Sequence, residues 1–453
     1  MTSLPKMNSR GTAKPVALTA LALLALFTIL PATLMAQTSA RNQNGKYVIP
    51  PSFYGMYIGN INTPWPTSYF ANLGLGGSDV NWWNIELAPG VYDFFWLDQW
   101  ISNALANNVG ITYTFSGVPE FYSSDPSNTK CAPRGACNPP YDVNEDGSGS
   151  DAVFQNFVTA LMVHNSQLGT PIHAWAFWNG ANLDRYWTPT CALKHQCTGK
   201  LRYAQLLRMA ADAYKIIKSF DPSAVVLTPS PVGWPDGAAE WLNGWLKFKG
   251  GKYADVISFD GFVNQPGQFP VAENEVKLIQ QMKDVAKKYG QSGKPLWVNS
   301  GGWGDVSMDK NNSEVQKAAF VARYMLLQQS SGIAEAYWHQ WDNLFSDGHL
   351  RLSGDAYNAV VNWATSATLS STCAPQDGTS VWVCGYTRSK PAGYKAQVVW
   401  NAERTSTYTF HQKFVQYCNL KGKVKPLHGD KVQIGIWPIL LENKNLEQGA
   451  CQQ

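Results

Sequence analysis

The sequence predicts an α/β fold, a (β/α)8 TIM barrel followed by a small C-terminal antiparallel β-sandwich. Three observations carry this expectation. Eight short apolar runs lie between residues 48 and 365, separated by amphipathic stretches. The runs are near-continuous in hydrophobicity, which marks strands buried on both faces of a parallel sheet. After residue 364 the helical pattern stops, and short β-type runs follow one another between turn residues.

The predicted barrel strands are residues 53–58, 80–83, 111–115, 173–177, 225–228, 256–259, 296–298 and 334–338. Helical periodicity falls between them on 97–107, 152–164, 203–218, 276–288 and 315–329. Eight such units over about 300 residues make a barrel with insertions, here bounded at 48–365. Residues 366–371 are small and polar and read as a linker. The sandwich, 372–443, takes its strands from 381–386, 396–400, 407–410 and 432–436.

The first 36 residues read as an export signal. Lys6, Arg10 and Lys14 form a basic start, and residues 16–30 carry no charge. That core is short for a bilayer span, which needs roughly 20 apolar residues. Cleavage is expected after Ala36, with Ala40 a second candidate. The mature chain is expected in the medium, the periplasm or the cell envelope, with no membrane attachment after cleavage.

Export agrees with the cysteines, all eight of which follow the signal. Proximity pairs Cys131–Cys137, Cys191–Cys197 and Cys373–Cys384, which leaves Cys418–Cys451. His195 stands between two of them, but two Cys and one His lack the fourth ligand of a zinc site. No metal or cofactor is expected. The net charge of +4, without a basic run, argues against nucleic acid. Aromatics make up 13% of the chain, 19 of them tryptophan, a composition that suits stacking against sugar rings.

Barrel sites form where strands end at their C-termini. Those ends read Gly117-Val118-Pro119-Glu120, Trp178-Asn179-Gly180-Ala181-Asn182, Asp260-Gly261-Phe262, Asn299 to Asp305 and His339-Gln340-Trp341-Asp342. Several phrases resemble the clan A retaining glycoside hydrolases, which place two glutamates after strands four and seven. Residues 172–190 (IHAWAFWNGANLDRYWTPT) resemble the acid/base segment, normally W-N-E-P-N or W-N-E-A-N. Residues 294–305 (KPLWVNSGGWGD) resemble the nucleophile strand, normally W-x-T-E-x-G-W-G. Residues 82–124, 255–262 and 336–343 resemble the second and third, sixth and eighth strand regions, and the C-terminal sandwich resembles the accessory domain of many members.

The resemblance places Gly180 at the acid/base position and Ser300 at the nucleophile position. A retaining mechanism needs two carboxyls about 5–5.5 Å apart. Glycine has no proton to give, and a serine without a base is a poor nucleophile toward an acetal carbon. The sixth strand end departs as well, with Asp260 and Phe262 where members commonly carry His and Tyr. The expectation is a protein that binds an oligosaccharide, polysaccharide or glycoside without retaining hydrolysis. An alternative is a working hydrolase with Asp260 and Glu120 as relocated acid and base. A third is a structural or protein-binding envelope protein. Asn179, Asn182, Asp260, Trp303, Trp338 and Trp341 are the expected sugar-binding residues. Asp184 and Asp342 read as a solvated loop charge and a structural hydrogen-bonding residue; Asp305 is a further strand-end acid.

Overall fold

Tyr54–Tyr57 (β1) pairs in parallel with Asn72–Leu75 (β2) on one side and with Glu335–Trp338 (β8) on the other. The computed structural model describes residues 47–77, 79–194, 197–233, 237–264, 268–304, 312–445 and 449–451. The proposed signal 1–36, His195 and Asp305 lie outside these. Gly110–Thr114 (β3), Ile172–Ala176 (β4), Val225–Leu227 (β5), Ile257–Asp260 (β6) and Leu296–Gly301 (β7) complete the parallel sheet. Bridges Leu227–Val256 and Val232–Asp260 join β5 to β6 and close the ring.

Strands β1, β6, β7 and β8 are buried along their whole length, as two-sided burial requires. Inner faces of β1, β4, β5, β7 and β8 build a separate cluster of Tyr57, Ala174, Ala176, Leu227, Trp297 and Tyr337. Large and small residues alternate there. A Cβ on Gly74 would meet the Tyr57 ring at 2.5 Å, so a glycine in β2 gives that ring its place.

Helices Phe95–Ala106 (α1), Ala152–Gln167 (α2), Leu201–Phe220 (α3), Gly237–Lys247 (α4), Asn274–Lys288 (α5), Glu314–Ser330 (α6) and Leu352–Ala364 (α7) follow strands β2 to β8. The connection from β1 to β2 contains none. Two of these helices, α4 and α7, are absent from the sequence reading.

The second strand is a correction. Residues 80–83 are not a strand; Trp82–Ile85 forms a single helical turn in the loop after β2. The sequence Asn-Leu-Gly-Leu of β2 looks poor for a strand, while Val-Asn-Trp-Trp looks good. Burial between β1 and β3 overrides that propensity. The linker is the second correction. Thr368–Pro375 (β9) is an edge strand on Val381–Arg388 (β10). Its serines and threonines are polar because an edge faces water, not because the chain is unstructured there.

The C-terminal sheet continues through Tyr394–Asn401 (β11), Ile439–Glu442, Gln416–Cys418 and Val424–Pro426. Ser406–Thr409 pairs with Lys431–Ile434, and Tyr408, Phe410, Val432 and Ile434 share a cluster with Val399 and Leu441. Glu273 ties this sheet to the barrel. Its Oε1 accepts from Trp400 Nε1 at 2.9 Å and lies 3.2 Å from Arg323 of α6. Disulfides join Cys131–Cys137, Cys191–Cys197, Cys373–Cys384 and Cys418–Cys451. No helix among the described residues is long and apolar enough to cross a membrane.

Candidate ligand site at the barrel mouth

Counting inward-facing residues toward the C-terminal strand ends leads to one layer. Tyr57 closes β1, Thr114 closes β3, Asp260 closes β6, Asn299 sits near the end of β7, and His339 follows β8. The Tyr57 hydroxyl lies 3.4 Å from Thr114 Oγ1, and the Asn299 amide donates to the same oxygen at 3.4 Å. The His339 ring lies 5.8 Å from the Tyr57 ring and 5.9 Å from that of the half-buried Phe262.

This layer contains polar atoms that the protein leaves unsatisfied. Asp260 Oδ1, Asn299 Oδ1 and His339 Nδ1 are buried and have no hydrogen-bond partner. A buried unpaired polar atom costs about 1–3 kcal/mol, so three in one layer call for a ligand or water. Burial pushes the Asp260 carboxyl well above the usual carboxylate range. Burial likewise pushes up the phenols of Tyr57 and Tyr324, and the neighbouring Asp260 adds to both shifts. Burial pushes His339 down, which favours a neutral imidazole. A carboxyl, an amide and an imidazole match hydroxyl groups, which both donate and accept.

Ser300 is buried beside this layer and pairs in register with Asp260. Gly180 holds a left-handed backbone, φ +56°, at the end of the β4 segment. Asn179 is half-buried; its backbone N–H donates to Phe115 O at 3.1 Å, and its amide takes no partner among the described residues.

Other expected residues are placed elsewhere. Asn182 uses both ends of its amide on Val232, accepting from N at 2.7 Å and donating to O at 3.0 Å, which pins the strand-five loop. Trp303, Trp338 and Trp341 are 0%, 3% and 0% exposed, so they are core and not open stacking surfaces. Trp303 meets Trp338 edge-on at 5.2 Å, and Trp341 stacks on Phe345 and donates to Pro64 O. Glu120 is exposed and ion-paired to Arg134, while Asp260 is buried. Asp342 accepts from Gly59 N and Thr63 Oγ1, both at 2.7 Å, and Asp184 is exposed.

Tyr57, Thr114 and Asn299 were not among the expected site residues. Their signal is the two-residue alternation back from each strand end, which requires correct strand register. A larger cleft of about 730 Å³, lined by Lys283, Lys287, Lys294 and Tyr47, lies at the opposite ends of β7 and β8. Barrel chemistry does not form at that end.

No protein-family model matches the sequence, and no curated protein matches it. Solved structures do. A family 39 glycoside hydrolase from Bacteroides cellulosilyticus aligns with TM-score 0.64 at 16% identity, covering 87% of this chain and 81% of the other. A GH30 endoxylanase from Clostridium papyrosolvens gives 0.57 at 11%, covering 88% and 97%. A monomeric β-xylosidase from Caulobacter crescentus gives 0.56 at 14%, covering 86% and 96%. The chain therefore shares the glycoside hydrolase barrel fold.

Proposed function

We propose that this chain is an exported, glycosidase-like protein that binds a glycan at the barrel mouth and no longer performs retaining hydrolysis. The observation that carries the reading is the layer of unsatisfied buried polar atoms on Asp260, Asn299 and His339. A sugar presents several hydroxyls that can both donate to and accept from such groups, and burial of the layer excludes competing water. Positions 180 and 300 hold Gly and Ser, so the carboxyl pair of a retaining mechanism is missing from them. Asn179, half-buried at the same strand ends, is the further ligand contact. Four disulfides support an extracytoplasmic location.

One observation favours a second reading. Burial pushes the Asp260 carboxyl well above the usual carboxylate range, the direction a general acid requires. Its expected partner Glu120 is engaged by Arg134, which weakens the pair. The test is a panel of glycans and aryl glycosides offered to the purified chain, with binding read by calorimetry and turnover by released aryl alcohol. Binding without turnover is expected. Enzyme-like turnover that disappears in Asp260→Ala overturns the proposal in favour of the relocated acid.

A further inference from the structure

The loop after β4 is pinned along its backbone from Trp178 to Thr188. Leu183 N donates to Gly180 O and Tyr186 N to Leu183 O, both at 2.9 Å. The buried Trp178 indole donates to Tyr186 O at 3.0 Å, and Thr188 Oγ1 donates to Asp184 O at 2.7 Å. Thr188 N donates to Cys137 O at 2.7 Å, which ties this loop to the disulfide of the loop before it.

On that backbone the half-buried Tyr186 ring folds over Gly180 and fills the space a Cβ there would enter. The exposed Arg185 guanidinium lies over the same ring, 4.7 Å from its centroid. An arginine already resting on an aromatic face gives up less freedom when it binds than a free one. Three groups on the loop have no hydrogen-bond or ion-pair partner among the described residues: the Asn179 amide, the Tyr186 hydroxyl and the Arg185 guanidinium. Other charges on the mouth loops are spent. Glu120 pairs with Arg134 and Lys194 with Glu145, while Asp342 accepts from Gly59 N and Thr63 Oγ1. Asp184 adjoins Arg185 in sequence but forms no ion pair with it among the described residues.

Position 180, where the resemblance puts an acid, is thus covered by a phenol and a cation. Cleavage of a glycosidic bond needs a proton donor there. A free hydroxyl and a fixed positive charge suit an anion instead. Resting on the glycan reading of the mouth, we infer that the ligand is an acidic glycan whose carboxylate or sulfate is held by Arg185. The Tyr186 hydroxyl and the Asn179 amide take neighbouring oxygens. A guanidinium meets either anion through two parallel N–H···O bonds, which a neutral sugar does not offer in that strength.

The test uses the full chain and matched oligosaccharides of equal length on glucan, galactan and mannan backbones. Each is offered neutral, carboxylated at C6 and sulfated at C6, and binding is read by calorimetry at two salt concentrations. On at least one backbone an acidic form should bind about tenfold tighter than its neutral counterpart, the worth of a hydrogen bond to a charged group. That gain should shrink in high salt. Whether the carboxylate or the sulfate shows it identifies the anion. Arg185→Gln should abolish the gain and leave Tm and neutral-glycan affinity unchanged, and Arg185→Lys should restore only part of it. Neutral and acidic forms that bind equally on every backbone overturn the inference and leave the glycan reading standing. A gain that survives in Arg185→Gln overturns it as well. No binding of any oligosaccharide overturns both.

Discussion

A Cβ built on Gly180 falls 2.3 Å from Cδ2 of Tyr186, at a backbone φ of +56°. The position is therefore closed to side chains twice over, by a ring and by backbone conformation. Gly180→Ala should cost about 1–2 kcal/mol from the left-handed backbone alone, and more from the ring. Adding Tyr186→Ala should recover the ring's share but not the rest. Chemical denaturation of the two variants checks this. A Gly180→Ala protein as stable as the parent would mean that the local backbone relaxes freely. Gly180→Glu is accordingly expected to destabilise the chain and to confer no hydrolysis.

The unsatisfied layer predicts a graded loss of binding. Asn299→Ala and Asn179→Ala should each weaken the glycan by up to about tenfold, the worth of one hydrogen bond. Trp303→Phe should lower Tm and leave glycan affinity unchanged, because Trp303 is packed against Trp338 and is not exposed. Calorimetry on the three variants separates the roles. A Trp303→Phe protein with normal Tm and weakened binding would make that ring part of the ligand site.

Two buried glutamates make stability depend on pH. Burial pushes Glu335 and Glu275 each up to about 8 from an ordinary 4.5. Each binds its proton more tightly in the folded state than in the unfolded state. Their favourable contribution is complete below about pH 4.5 and is lost as pH rises through about 8. Tm should therefore decline between pH 5 and 9. Glu335→Gln should flatten the decline, since Gln keeps an acceptor for Asn72 and Tyr337 without a proton to lose. An unchanged slope in that variant would exclude Glu335 as a source.

The disulfides should rank by loop length. Cys418–Cys451 spans 33 residues and Cys131–Cys137 spans 6. Chain entropy makes the longer closure worth about 1.5 kcal/mol more. Denaturant midpoints of the two paired Cys→Ser variants measure the difference, and a reversed order would show that native packing dominates.

The sequence by itself determined the barrel, the C-terminal β region and the four cysteine pairs. Strands buried on both faces write themselves as apolar runs, and short cysteine spacings leave few geometries. It misplaced the second strand, because Asn72–Leu75 owes its conformation to burial beside Tyr57 and not to propensity. It could not separate core tryptophans from exposed ones, since Trp303 and Trp341 stand in strand-end loops that fold inward. It named Asp260 but not Tyr57, Thr114 or Asn299, because three strands far apart in sequence meet in one layer only once the barrel closes. The closure of position 180 was equally hidden. A glycine in a sequence is a missing side chain; Tyr186 and a left-handed backbone turn it into a site that admits none.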